Sequence, residues 1–317
     1  MTPNLTLNDP AFVGVVGTPA AAASLSTAST DAYYCCGIEE GGEWVTEVTT
    51  QNFDSGTWTT GTNANQALAT NEGRGNQTGF MICGGFSSTT AFPALDDAYS
   101  WNGSAWTTHS SVMGEVRAIG FAMSGNDAGG FINGGQQGSG GTQQDTSESF
   151  DSTPTFTTEA SSDYGGQGTL GSGNSDTDFI RTGGYGTPAS AYNLETESYS
   201  GGAWTCESQD YPFSNPYGYG GSCASGRTSF LCGSNVNSTD DAIAKFDGST
   251  WADAGDMNYK HTTQHGEGGD SADAMVVSGD PDANKAELYD GDSFTTTGEL
   301  VATCLLYTSP SPRDRTR

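Results

Sequence analysis

Hydrophobic residues fall along this chain in short bursts, each closed by glycine and followed by a polar stretch and two spaced aromatics. The bursts are Tyr33-Tyr-Cys-Cys-Gly37, Phe80-Met-Ile-Cys-Gly-Gly85, Phe131-Ile-Asn-Gly-Gly135, Phe179-Ile-Arg-Thr-Gly-Gly184, Phe230-Leu-Cys-Gly-Ser234 and Met275-Val-Val-Ser-Gly-Asp280. A short apolar run without alternation reads as a strand buried on both faces. Six aromatics follow at matching distances: Trp58, Trp106, Phe156, Trp204, Trp251 and Phe294. A few residues before each stands a partner: Phe53, Trp101, Phe150, Tyr199, Phe246 and Tyr289. Between the partners of five of the six pairs lies Asp-Gly, Asn-Gly or Ser-Gly, most clearly in Lys245-Phe-Asp-Gly-Ser-Thr-Trp251. That pairing predicts a tight hairpin whose two turn positions both take positive φ. Bulky residues about seven beyond the second aromatic (Met113, Tyr164, Tyr211, Met257) precede a glycine-rich strand such as Gly165-Gly-Gln-Gly-Thr-Leu-Gly171. Glycine suits such a strand where neighbouring backbones crowd together.

The first glycines of the bursts, Gly37, Gly84, Gly134, Gly183, Gly233 and Gly279, recur with a period of about 48 residues, the length of one four-stranded propeller blade. The expected fold is therefore all-β: a six-bladed β-propeller of four-stranded antiparallel blades. Its units run 12–60, 61–110, 111–160, 161–208, 209–254 and 255–303, and Leu5-Thr-Leu7 is a candidate strand to close the ring.

With a hydrophobic run, a glycine pair, then Tyr and Trp at short spacing, the units resemble kelch repeats over about residues 31 to 300. The glycine pair is replaced by Gly37-Ile38, Gly233-Ser234 and Gly279-Asp280 in three units, and the basic residue of the kelch pattern is matched by Arg117 alone. The form Glu197-Ser-Tyr-Ser-Gly-Gly-Ala-Trp204 is more similar to the divergent kelch-like repeats of marine phage and bacterial surface proteins. Asp54-Ser-Gly-Thr-Trp58 also comes near a sialidase Asp-box but is one residue short of it.

Composition sharpens this. Glycine supplies 46 of 317 residues, yet aromatics at 10% separate the chain from unstructured low-complexity sequence. The net charge of −28 opposes nucleic acid and anionic lipid, both of which need Lys/Arg clusters. No stretch approaches the roughly 18 apolar residues of a membrane span, so no membrane insertion is expected. The N-terminus has neither the basic residues nor the apolar run of a secretory signal, although the composition is extracellular in character. Cys304-Leu-Leu-Tyr-Thr-Ser-Pro-Ser-Pro-Arg-Asp314 breaks the pattern and resembles a translated sequencing-library adapter, with Arg315-Thr-Arg317 continuing it. Residues 304–317 are therefore expected to be a non-native tail of metagenomic origin, which makes six blades a lower bound.

Candidate chemistry is sparse. Cys36, Cys83 and Cys232 share the slot before the first glycine with Asn133, Thr182 and Ser278, which marks a demand for small volume. Cys206 and Cys223 are candidates for a cross-strand disulfide. His261 and His265 on a strand would lie roughly 13 Å apart, too far to share an ion. Asp280, Asp282, Asn284 and Glu287 alternate like Ca²⁺ ligands, but Lys285 stands where such a loop needs glycine. The densest aromatic patch, Tyr211-Pro-Phe-Ser-Asn-Pro-Tyr-Gly-Tyr219, offers Tyr211, Phe213, Tyr217 and Tyr219 to stack against sugar rings. No nucleophile–base–acid set is visible, and three histidines supply neither a triad nor a copper site.

The expected function is a non-enzymatic binding or structural module on a virion or cell surface, a phage tail-fibre or decoration protein whose partner is a protein or surface glycan. The alternatives are a secreted bacterial glycan-binding or glycan-active propeller and an intracellular kelch-type interaction scaffold. No cofactor is expected beyond the Ca²⁺ candidate.

Overall fold

In the computed structural model the described residues are 15–17, 21–23, 31–35 and most of 48–300, without 49, 55–56, 69–71, 77, 88–92, 139–140, 176–177, 188–190, 214–221, 225–229, 234–241, 260–265, 270–273 and 278–283. Every regular element among them is a β-strand, and all pairings between strands are antiparallel.

A hairpin of β1 (Val15–Gly17) and β2 (Ala21–Ala23) comes first. β3 (Asp31–Cys35), β4 (Thr50–Asp54) and β5 (Thr57–Thr60) then pair in order. β6 (Glu72–Asn76), β7 (Gly79–Cys83), β8 (Ala98–Trp101) and β9 (Trp106–His109) form a four-stranded sheet. β10 (Ala118–Asn126), β11 (Gly129–Gln136), β12 (Ser147–Asp151) and β13 (Phe156–Glu159) form the next. After β14 (Gly165–Gln167) come β15 (Leu170–Ser175) and β16 (Asp178–Thr182). β17 (Tyr185–Thr187) and β18 (Ala191–Tyr192) intervene before β19 (Thr196–Ser200) and β20 (Ala203–Cys206). One sheet runs β15-β16-β19-β20, and a small separate sheet runs β14-β17-β18. β21 (Ser222–Ala224), β22 (Phe230–Gly233), β23 (Ala242–Phe246) and β24 (Trp251–Asp256) pair in order, with β1 added at the β21 edge. β25 (Gly266–Gly269), β26 (Ala274–Val277), β27 (Ala286–Tyr289) and β28 (Phe294–Thr296) form the last sheet.

The first strands β6, β10, β15, β21 and β25 lie against one another in chain order, and the β1–β2 hairpin touches both β25 and β6. The row of first strands thus returns on itself, as in a propeller. Leu5 to Leu7, the expected closing strand, lie outside the described residues; β1 and β2 stand between the first strands β25 and β6. Burial falls from the second strand outwards: β7 is buried at every residue, whereas the fourth strands β9, β13 and β20 are mostly open to solvent. A strand flanked by two neighbouring sheets has no solvent face, which is why the apolar bursts do not alternate.

The cores lie between sheets. Met81, Cys83 and Ala98 of one sheet pack with Phe121, Met123, Ile132 and Phe150 of the next. Phe131 packs with Phe179, Tyr199 and Trp204; Leu170 and Ile180 pack with Tyr211, Ala244 and Phe246. Ile243 meets Met257, Ala274 and Tyr289. The bulky residue beyond three of the hairpins (Met113, Tyr211, Met257) is therefore a buried wedge between neighbouring sheets, whereas Tyr164, expected in the same role, is only half-buried.

The hairpin aromatics stand directly opposite each other in all six units: Phe53↔Trp58, Trp101↔Trp106, Phe150↔Phe156, Tyr199↔Trp204, Phe246↔Trp251 and Tyr289↔Phe294. The expected turn chemistry needs correcting. Among the described hairpin tips, only that through Gly201 and Gly202 has two positive-φ residues, at 62° and 90°. In the loops 102–105, 247–250 and 290–293 the glycine alone is positive, and an Asx side chain does the rest. The Asn102, Asp247 and Asp290 Oδ1 atoms each accept two backbone N–H groups of their own loop. The Asp or Asn is chosen as an acceptor for the turn, as Asx turns require.

Those amides hold the exposed Asp247 carboxylate well below the usual range, at about 2, mainly through the Thr250 and Ser249 N–H groups. Its unfolded value is about 3.9, so the stabilisation it lends is complete above that pH and lost as the pH falls towards 2. A carboxyl-detected NMR titration should find Asp247 titrating near 2 and an Asp247→Asn variant keeping the loop at low pH. An ordinary carboxyl titration near 4 would refute this account of the turn.

A second correction concerns the glycine-rich segment. The first strand of its sheet is β15, beginning at Leu170; Gly165–Gln167 belongs to the small sheet with β17. Three of the repeat glycines behave as their spacing implies: Gly84, Gly134 and Gly183 have φ of 58°, 81° and 70°, and each is followed by another positive-φ glycine, whereas Gly233 ends β22 opposite Ile243. A Cβ on Gly84 would collide with the Arg117 carbonyl oxygen. Gly37 and Gly279 lie outside the described residues.

Candidate binding face

Antiparallel order within each sheet divides the connections between two ends. First-to-second and third-to-fourth turns, such as 127–128 and 201–202, share one end. Second-to-third and sheet-to-sheet connections, such as 84–97, 137–146, 183–195 and 207–221, share the other. The long segments therefore gather on a single face, and loops held by a rigid scaffold are where binding residues are placed.

Beneath that face lie buried charges. Arg74, Arg117 and Arg181 are each 0% exposed. Arg74 on β6 donates from Nε to the Met123 carbonyl on β10 and from Nη2 to the Gly171 carbonyl on β15. It thereby ties three first strands together. Arg117 donates to the Gly134 and Thr146 carbonyls and lies 4.0 Å from Glu148. Arg181 donates to the Gly183 carbonyl and the Ser162 hydroxyl and lies 3.3 Å from Glu197. Burial pulls both of these guanidinium groups down from their usual value, with the paired glutamate opposing it. Burial likewise lifts the Glu148 and Glu197 carboxyls, while the arginine and backbone amides pull them back.

The glutamates close the loop that enters each sheet. Glu148 accepts the Gly114 N–H; Glu197 accepts those of Asp163 and Tyr164; Glu287 accepts those of Asn258 and Tyr259. All three stand two residues before a hairpin aromatic, so the repeat marks them. Sequence reasoning picked out Glu197 only within a repeat pattern and Arg117 only as a kelch position, and missed the pairs. The signal that finds them is a charged residue recurring at a slot otherwise filled by Gln51, Tyr99 or Ala244.

Asp163, Glu197 and Cys206 bring one potential ligand atom each within 4.8 Å. Both Glu197 oxygens already accept backbone N–H groups, and Arg181 supplies the positive charge a metal would bring. The donor set fits a structural ion pair better than a cation. Cys206 is a free thiol pushed up to about 11 by burial and the surrounding acids, which leaves it protonated and unreactive. Cys83 forms no disulfide and is fully buried. Cys36, His261 and His265 lie outside the described residues, as do the side chains of Cys223 and Cys232.

The sequence-predicted aromatic patch is split. Tyr211 is 2% exposed, meeting Trp251 edge-on at 5.1 Å with Phe213 packed against it at 5.7 Å. Its ring is an inter-sheet wedge and presents no free face. Tyr217 and Tyr219 lie outside the described residues. Of the Ca²⁺ candidates, Asp280 and Asp282 also lie outside them. Glu287 is fully buried on the Asn258 and Tyr259 amides, and Asn284 donates to Glu299. Glu287 and Asn284 are thus separately engaged.

The class this defines is an all-β, propeller-like protein with buried ion pairs inside its sheets and long loops on one face. Among solved structures, that of YjhT is similar to it: TM-score 0.61 at 13% identity, covering 89% of this chain and 97% of the other. The likeness is one of fold. No family model matches the sequence, and no curated protein matches it. Among the described residues no helix is long and apolar enough to cross a membrane.

Proposed function

We propose that the chain is a six-bladed, kelch-like propeller of four-stranded blades that serves as a non-enzymatic binding module on a virion or cell surface, through the face carrying its long loops. One observation carries this reading. The strongly perturbed ionisable groups near that face are consumed by structure, Arg117 with Glu148 and Arg181 with Glu197, so nothing described there is poised for proton transfer or nucleophilic attack. What the face varies from unit to unit is loop length and sequence, the property of a recognition surface. A solvated acidic exterior keeps such a module soluble and unaggregated outside the cell.

Two measurements test it. Labelled protein should bind intact bacterial cells, and mass spectrometry of the supernatant should find no released sugar or peptide; a released product would make it an enzyme. Sequencing the DNA that flanks the gene should find capsid and tail genes, and a metabolic operon in their place would refute the virion assignment.

A further inference from the structure

The small sheet β14-β17-β18 enlarges a connection that in two other units makes only a single bridge, Phe86↔Ala94 and Gln136↔Gln143, and it is unusually furnished. Gln167 stands opposite Tyr185, and Tyr185 opposite Tyr192. Residues directly opposite across antiparallel strands share a face, so an amide and two phenols form one row. The two rings meet edge to face, centroids 5.4 Å apart at 66°. Tyr192 is 45% exposed, the one exposed large hydrophobic side chain among the described residues. Glycines let this sheet lie close against residues 143–145. A Cβ on Gly165 would come within 2.6 Å of the Asp145 Cα, and one on Gly186 within 3.0 Å of the Gln143 Cβ. The platform is thereby fixed on the scaffold. Further amides stand beside it: Gln137 and Gln144 both donate to the Glu115 carboxylate.

We propose that the Gln167–Tyr185–Tyr192 row is a binding site for neutral saccharides, a reading that rests on the binding module described above. The apolar C–H face of a pyranose stacks on an exposed phenol, and its hydroxyls find both donors and acceptors in glutamine amides and tyrosine hydroxyls. Charge selects the class. The chain carries −28, and the described arginines Arg74, Arg117 and Arg181 are all withdrawn from solvent, so uronates, sialylated and sulfated sugars meet net repulsion. A neutral glycan pays no such penalty.

The test is isothermal titration of the full chain with cellobiose, lactose and a neutral galactan, with polygalacturonate as the charged comparison, alongside binding to intact cells. Saturable binding of at least one neutral saccharide and none of polygalacturonate is expected. Tyr192→Ala should weaken it about tenfold or more, the loss of one ring stack. Tyr192→Phe should stay within about threefold, and Gln167→Ala should fall between. An exposed ring contributes little to folding, so the melting temperature of Tyr192→Ala should match the parent protein. Unchanged affinity in Tyr192→Ala moves the site elsewhere and overturns this inference while leaving the binding module intact. Cell binding without saccharide binding, or cell binding that survives periodate oxidation of the surface glycans, points to a protein partner and overturns it likewise. Binding to neither sugars nor cells removes both readings.

Discussion

Glu197→Ala is expected to destabilise the protein by about 3–5 kcal/mol, the usual result of removing one partner from a buried ion pair. The carboxylate does two jobs. It offsets the Arg181 guanidinium at 3.3 Å, with both side chains almost wholly buried. It also accepts the Asp163 and Tyr164 N–H groups, which pins the entry loop of the sheet to its third strand. Alanine leaves the guanidinium uncompensated and two amides without their acceptor. Glu197→Gln restores one acceptor but not the charge and should lie between alanine and the parent. Arg181→Met combined with Glu197→Gln removes the charge from both sides and should come closest to the parent, since an apolar replacement of a buried pair costs little by itself. Urea unfolding of the four proteins gives the ordering. A Glu197→Ala variant within 1 kcal/mol of the parent would mean that the pair is incidental to the fold.

That pair also shows where sequence reading stops. Aromatic positions and apolar bursts are legible because each unit repeats the same packing problem, a strand between two sheets and a hairpin against the next sheet. The period survives substitution of Trp by Phe or Tyr because ring volume is what the slot requires. Arg181 hides in its burst because a guanidinium among apolar neighbours is tolerated only where Ser162, Gly183 and Glu197 converge on it, and that convergence joins residues far apart along its unit. Tyr211 misleads for the opposite reason. In sequence it heads an aromatic cluster; in the fold its distance from Trp204 makes it a wedge. Tyr192 is nearly invisible in sequence, because only the small sheet inserted between β16 and β19 lifts it outwards beside Tyr185. The turn glycines were read correctly as turns, but the mechanism lay in the Asx side chain before them, a choice that Asp-Gly alone does not reveal.

Trp251→Ala should cost about 2–4 kcal/mol, below the full value for a buried tryptophan because one side of the ring is open to solvent. Its indole packs on Phe246 at 5.2 Å and edge-on against Tyr211 at 5.1 Å. Its Nε1 donates to the Thr196 hydroxyl on the preceding sheet at 3.0 Å. The same reach is made by Trp106 to the Thr62 carbonyl and by Trp204 to the Ala160 carbonyl. The tryptophan of a hairpin is thus a fastener to the sheet before it as well as filling for its own. Trp251→Phe separates these roles: packing is largely kept and the hydrogen bond lost, for about 1 kcal/mol. Hydrogen exchange supplies the sharper reading. In Trp251→Phe the amides of β19, which carries Thr196, should lose protection while those of β27 keep theirs. Equal loss on both strands would mean that the sheets on either side open as one cooperative unit, and the tryptophan would then not be a particular fastener to the sheet before it.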